Sequence, residues 1–162
     1  MKTLITVFIT IAITFCTQAQ EKVNMSDFTR LDNTHWTGEL MYINYSDNKE
    51  VILPTTLEIK VKKNKIVFFT KYPNEKSANG KSTLQLNHDG TYIGNQKITK
   101  VNRFTDGSME IVTMYKGQDD NRDATIYITY FFTNNQLSIK KEVEFKDTPR
   151  KFTRNKYTYT KS

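Results

Sequence analysis

Apolar and polar residues alternate with a period of two along most of this chain, and this pattern limits what the chain can fold into. Leu57, Ile59 and Val61 share one face, for example, whereas the residues between them are charged. The same alternation recurs in residues 136–145. It is typical of β-strands with one buried and one solvent-exposed face. The sequence therefore predicts a chain built from strands, with little room for helix.

Short turn signals separate the alternating segments. The dipeptides Asp89-Gly90 and Asp106-Gly107 favour two-residue β-hairpins, and Asn134-Asn135 also predicts a turn. Polar loops are expected at residues 73–81 and 117–123. Together these signals predict about nine strands that follow one another in chain order.

A meander of this kind leaves two exposed edges unless the sheet closes on itself. A β-sandwich is the rival, but it usually needs longer connections than the short turns seen here. We therefore predict an all-β fold, an antiparallel up-and-down β-barrel of about eight to ten strands formed by residues 34–162. Residues 20–33 are expected to form a coil or short helix ahead of it. Pro54 predicts a bend or a sheet edge, because it lacks a backbone donor.

Residues 1–19 have the features of a signal peptide. A lysine provides the charged start, residues 4–15 form an apolar run too short for a comfortable membrane span, and Ala19 is a small residue. We expect cleavage after Ala19 and a secreted or periplasmic protein with no transmembrane segment in its mature chain. A retained anchor and lipidation at Cys16 are the alternatives, and lipidation is disfavoured because Phe15 stands where a small residue is needed.

Charge and cysteine content narrow the classes of partner. The chain has 24 Lys and Arg against 17 Asp and Glu, a formal net charge of +7, and a single cysteine. One cysteine excludes a disulfide framework within the chain. The lysines of residues 60–65 and 140–146 predict either a soluble, edge-protecting surface or a site for an anionic component of the cell envelope. Nucleic acid is not expected, because its usual aromatic–basic motifs are missing.

The start of the first predicted strand resembles that of a known family. Trp36-Thr37-Gly38 follows a short helical or coil segment, as in lipocalin-like (calycin) barrels, and the closing strand carries Arg154. In those families a basic residue of the last strand often packs over the first-strand tryptophan. The chain is also similar in its overall pattern to small secreted β-barrels of bacteria. The resemblance implies the barrel fold and the potential for an internal cavity, without specifying a ligand.

Five residues are candidates for a ligand site inside such a barrel. Trp36, Tyr42, Tyr115 and Tyr130 lie on faces that the alternation turns inward, and each tyrosine combines an apolar ring with one hydroxyl group. Arg154 is able to bind an anionic group through its planar guanidinium, or to stack on Trp36. The alternative is that these side chains fill the interior, which in a small barrel holds either side chains or one small ligand.

Motifs for catalysis or metal binding are weak in this sequence. It has no Gly-x-Ser-x-Gly motif, and its two histidines are far apart. Asp119, Asn121 and Asp123 have the first spacings of a calcium loop, but Ala124 and Tyr130 replace the required glycine and glutamate. We therefore predict no catalytic residues, no metal site and no cofactor.

The predicted function is non-enzymatic binding of a small apolar or amphipathic ligand inside the barrel. Ligands with an anionic group are included in this prediction. The alternative is a cell-envelope interaction module that uses the basic outer surface and has no internal ligand.

Overall fold

The structure is a computed structural model of the chain and describes residues 21–162. Its strands are β1 (Thr34–Asn44), β2 (Lys49–Lys62), β3 (Lys65–Lys71), β4 (Gly80–Asn87), β5 (Tyr92–Ile93), β6 (Gln96–Arg103), β7 (Met109–Asp119), β8 (Arg122–Phe132), β9 (Gln136–Phe145) and β10 (Thr148–Lys161). Short 3₁₀ helices span Met25–Leu31, Lys76–Ala78 and His88–Gly90. The predicted signal peptide, with Cys16, lies outside the described residues. Within residues 21–162, no helix is long and apolar enough to cross a membrane.

The ten strands form a closed antiparallel barrel. Each strand pairs with its neighbours in the chain, and β10 returns to pair with β1. This seam runs from Trp36 opposite Lys161 to Tyr42 opposite Asn155. The prediction of an all-β, up-and-down barrel is therefore confirmed, and the β-sandwich is excluded.

Residues that tolerate a left-handed backbone keep the hairpins tight. Between β7 and β8, Asp120 and Asn121 have φ angles of 50° and 58°, the conformation of the two-residue turn whose twist matches that of a hairpin. The loop expected at residues 117–123 is therefore wrong, because β7 continues to Asp119 and β8 begins at Arg122. Short Asp and Asn side chains adopt this conformation at low energy, so no longer connection is needed.

The Met25–Leu31 helix closes the end of the barrel at which β1 begins, which we call the lower end. Phe28 and Leu31 of this helix are each 3% exposed and belong to the main hydrophobic core. Thr34 Oγ1 donates to the Leu31 backbone oxygen at 2.6 Å, and Trp36 Nε1 donates to Thr34 Oγ1 at 2.8 Å. Trp36 is thus part of the floor of the barrel and links the helix to β1.

At the upper end of the barrel, the end away from the Met25–Leu31 helix, the wall is lower on one side than on the other. β2 pairs with β3 only from Thr56 onward, and β7 pairs with β6 only as far as Met114. The hairpins β1–β2 and β7–β8 therefore rise above β3–β6. Pro54 lies in the part of β2 that has no β3 partner, so β2 has a local edge there, as the sequence predicted.

Gly38 allows β1 and β10 to approach closely at the seam. A Cβ atom at this position would lie 1.9 Å from the Thr158 backbone oxygen and 2.8 Å from Tyr159 Cα. These distances are far shorter than a van der Waals contact. A larger residue would therefore force the two strands that close the barrel apart.

We expect Gly38→Ala to lower the free energy of unfolding by about 3 kcal/mol, because the methyl group must open the seam. Urea unfolding followed by circular dichroism measures this change. Gly80→Ala is the matched control, since its Cβ would come no closer than 3.8 Å to the Ala78 oxygen. Equal stabilities of the two variants would contradict the close packing of β1 on β10.

Candidate functional site

The barrel interior contains a cavity of about 200 Å³. Its lining side chains come from β2, β3, β4, β6, β8, β9 and β10, so it lies inside the barrel rather than on the outer face. Rings and branched aliphatic groups form most of its wall, among them Phe68, Ile128, Tyr130, Ile139, Tyr157 and Tyr159. Polar groups come from Thr70, Ser82 and Gln96.

Hydrogen bonds fix the polar groups around the cavity. Gln96 Oε1 accepts from Thr113 Oγ1 at 2.7 Å and from the Tyr130 hydroxyl at 3.4 Å. Elsewhere on the wall, the hydroxyl groups of Tyr72 and Tyr157 hydrogen-bond to each other at 2.8 Å. Burial raises the pKa of Tyr130 and of Tyr157, so both phenols stay neutral at physiological pH. An apolar wall with a few fixed polar groups is the usual composition of a small-molecule site.

Tyr159 lies deepest among the tyrosines of the cavity wall, at 2% exposure, and its ring stacks on that of Tyr157. Burial raises the pKa of Tyr159 to about 12. The hydroxyl groups of Thr55 and Thr70 lie near its own, although Thr55 Oγ1 is left without a hydrogen bond of good geometry. The folded barrel therefore keeps this phenol protonated at a pH where a free tyrosine ionises.

Above the cavity, toward the upper end, Tyr45, Asp119, Lys141 and Arg154 form what we call the ionic cluster. Lys141 Nζ lies 2.7 Å from Asp119 Oδ1, and Arg154 Nε lies 3.6 Å from Asp119 Oδ2. The Tyr45 hydroxyl donates to Asp119 Oδ2. The Arg154 guanidinium stacks 4.0 Å from the centre of the Tyr45 ring and donates to the Ile43 backbone oxygen.

The ionic cluster is largely shielded from water and carries excess positive charge. The side chains of Asp119, Arg154 and Lys141 are 12%, 19% and 22% exposed. Tyr45 is neutral, because burial and its hydrogen bond to Asp119 raise its pKa. Two cations and one carboxylate leave a net charge of +1. Since charges are screened less here than in bulk water, an anionic group is favoured beside Lys141 and Arg154.

A β-bulge directs Arg154 into the cluster. β10 advances three residues, from Phe152 to Asn155, where its partner β9 advances only two. The extra residue turns Arg154 inward and shifts the alternation of the residues that follow it. As a result, Tyr157 faces the cavity.

The cavity and the ionic cluster adjoin each other. Ile139 lines the cavity, and Lys141 is the next inward residue of β9, about 7 Å farther along the strand. Lys141 is also paired in register with Ile128 of the cavity wall. On β10, Arg154 of the ionic cluster likewise lies nearer the upper end of the barrel than Tyr157 of the cavity wall. An apolar chamber with cations at one end suits a molecule with an apolar body and an anionic end.

Two of the five predicted ligand residues lie at these sites. Tyr130 lines the cavity, and Arg154 belongs to the ionic cluster. Arg154 stacks on Tyr45. The family resemblance had implied that it would stack on Trp36, and that expectation is wrong. The register explains the difference, because Trp36 pairs with Lys161, near the opposite end of β10.

The other three predicted residues lie outside the cavity wall. Trp36 is buried in the floor. Tyr42 is half-buried in the upper part of β1, opposite Asn155. Tyr115 is half-buried on the inner face of β7, where its ring packs close to Gly117.

Gln96 of the cavity and Asp119 and Lys141 of the ionic cluster were not among the ligand residues predicted from the sequence. Lys141 had left a signal, since it is the one charged residue in the inward row of β9, between Ile139 and Val143. The polar loop predicted at residues 117–123 includes Asp119. Asp119 lies instead at the end of β7, where the alternation of that strand continues inward.

A larger depression, of about 710 Å³, lies along the ends of β7, β8 and β9. Lys116, Gln118, Asp123 and Lys146 in its lining are exposed to solvent. Ligands are rarely held by such open, charged walls, because little of their surface leaves water. The cavity of the barrel interior, whose wall is formed mostly by apolar side chains and carries no charged side chain among residues 21–162, is therefore the stronger candidate site.

The basic outer surface predicted from the sequence includes a face centred on Phe69. The ammonium groups of Lys60 and Lys81 lie 5.8 Å and 5.7 Å from the centre of the Phe69 ring. Lys60 also forms an ion pair with Glu58 at 2.9 Å. An anionic envelope component bound at this face stays a prediction.

Comparison with known proteins gives no further guide to function. No protein-family model, curated protein or solved structure matches the chain. Within the described part of the chain, no three His, Cys, Asp or Glu side chains are placed to hold a metal ion. Function must therefore be inferred from the chemistry of the barrel interior.

We expect Tyr159 to make the barrel sensitive to alkali. The unfolded phenol ionises near pH 10, while the folded one stays protonated until about pH 12, so its stabilisation is complete below pH 10 and is lost as the pH rises toward 12. Between pH 9 and 11.5 the free energy of unfolding should fall by about 2 kcal/mol more in the wild type than in Tyr159→Phe. Urea titrations at each pH measure the free energy of unfolding of both proteins. Parallel pH profiles would show that this phenol is not shielded.

Proposed function

We propose that this barrel binds a small amphipathic anion without transforming it. The apolar part of the ligand occupies the cavity, and its anionic end lies beside Lys141 and Arg154. The observation that supports this proposal is the contiguity of the two sites, since Ile139 and Lys141 are successive inward residues of one strand.

The cavity volume limits the size of the ligand. A volume of 200 Å³ is somewhat larger than the roughly 150 Å³ of an engineered cavity that binds benzene. It is below the range of about 300–1,000 Å³ that is usual for drug-sized ligands. The best fit is therefore a single ring, or a short aliphatic chain, with one small charged substituent. Bulky lipids with long acyl chains are too large for it.

The groups on the cavity wall favour binding over catalysis. The described lining offers hydroxyl, amide and apolar groups, and it includes no histidine, cysteine or carboxylate. Histidine, cysteine and carboxylate side chains perform most acid–base and nucleophilic chemistry near neutral pH. The tyrosines cannot replace them as bases, because burial raises the pKa of Tyr130 and of Tyr157.

The same proposal extends to class and location. A closed meander barrel with a tryptophan in its floor and a cavity above it is consistent with a lipocalin-like binding protein. The apolar run at residues 4–15 and the small residue Ala19 support export and cleavage, which would make the mature protein secreted or periplasmic.

Phenylacetate is a suitable probe, since it combines one ring with one carboxylate. A ligand of about ten non-hydrogen atoms, at roughly 0.5–0.7 kcal/mol each, gives a dissociation constant of about 10–200 µM. Isothermal titration calorimetry covers this range. We expect Ile139→Trp to weaken phenylacetate binding at least about tenfold, because the larger side chain fills part of the cavity.

Ile52→Trp is the matched control for that experiment. Ile52 is 54% exposed on the outside of β2, so this variant carries the same substitution without changing the interior, and its affinity should equal that of the wild type. Circular dichroism establishes that each variant is folded. Unchanged phenylacetate binding by a folded Ile139→Trp protein would contradict the proposed site.

A further inference from the structure

We propose that Asp119 occupies the place of the ligand's anionic group, and that a small monocarboxylate binds by displacing Asp119 from Lys141 and Arg154. This inference rests on the proposed function. It adds a ligand class, monocarboxylates, and a built-in competitor that limits their affinity.

The first argument is that the partners of Asp119 form a carboxylate site. Both carboxylate oxygens are used, with Lys141 on Oδ1 and with Arg154 and the Tyr45 hydroxyl on Oδ2. Two cations and a phenol hydroxyl group, arranged around both oxygens, can bind a carboxylate of a ligand as well as that of Asp119.

The second argument is topological. Lys141 lies on β9, Arg154 on β10 and Tyr45 directly after β1, and these three strands are consecutive in the barrel. Asp119 comes from β7, which β8 separates from β9. The three donors therefore form one continuous surface, and Asp119 is brought to that surface from another part of the wall.

The third argument is that Asp119 lies on a weakly held segment. It is the last residue of β7, next to the exposed turn at Asp120 and Asn121. β6 pairs with β7 only as far as Met114, so the segment beyond that point is paired on one side only, with β8. Strand ends with one partner open locally at lower free energy than the rest of a sheet. Gly117 lies within this segment and adds backbone freedom.

The charge balance of the exchange is favourable. When a ligand carboxylate replaces that of Asp119, Lys141 and Arg154 keep one anionic partner, and the released Asp119 side chain is hydrated at the upper end. Binding therefore replaces one ion pair by another rather than burying a new charge. The cost lies in competition, because Asp119 is tethered at a high effective concentration. The wild type should therefore bind carboxylates more weakly than its cavity and cations alone would allow.

The test compares phenylacetate with phenylacetamide, its uncharged isostere, by calorimetry. Asp119→Asn keeps the shape of the side chain and removes its charge. We expect this variant to bind phenylacetate about tenfold more tightly than the wild type, with no change for phenylacetamide. Asp123→Asn is the matched control, because it removes one carboxylate from the same hairpin at an exposed position. It should behave as the wild type.

A measurement on the wild type covers the case in which Asp119→Asn does not fold. Phenylacetate, but not phenylacetamide, should speed the hydrogen exchange of the Asp119 and Arg122 amides, which face each other in the last pair of the β7–β8 ladder, because the tip of the hairpin is released. Equal or weaker phenylacetate binding by a folded Asp119→Asn protein, or unchanged exchange at the tip, would overturn the displacement. If neither probe binds any of the proteins, the proposed function itself fails.

Discussion

The pairing of β1 with β10 is the contact on which the rest of the structure depends, because it closes the sheet into a barrel with an interior. Gly38 makes this contact by leaving no side chain against the Thr158 carbonyl. Once the sheet is closed, the period-two alternation sends every second side chain into one shared volume. A buried polar group there is costly unless it is hydrogen-bonded or paired, and Thr55 Oγ1 is an exception among the described residues.

This interior is neither filled nor purely apolar. Apolar residues in place of Asp119, Lys141 and Arg154 would remove the desolvation of three charges, and such replacements are often neutral or stabilising. The cavity beside them likewise leaves packing contacts unmade. Both features reduce stability, and both are expected of a barrel that accommodates a charged guest. The proposed monocarboxylate uses the two together.

The sequence predicts the barrel well because the alternation and the turns are local patterns. It predicts the site less well because the site depends on contacts between distant strands. The bulge that turns Arg154 inward interrupts the alternation of β10, and the bond from Tyr45 to Asp119 joins segments 74 residues apart. Lys141 was the exception that local reasoning could reach, since a charge in an inward row is a visible anomaly.

Native mass spectrometry of the protein purified from its own cells tests the central claim most directly. A barrel that holds a small amphipathic anion should carry one additional mass of about 100–200 Da, which is lost on denaturation and identified as a carboxylic acid by fragmentation. A protein that shows only the mass of its polypeptide under native and denaturing conditions, at every purification, would contradict the account.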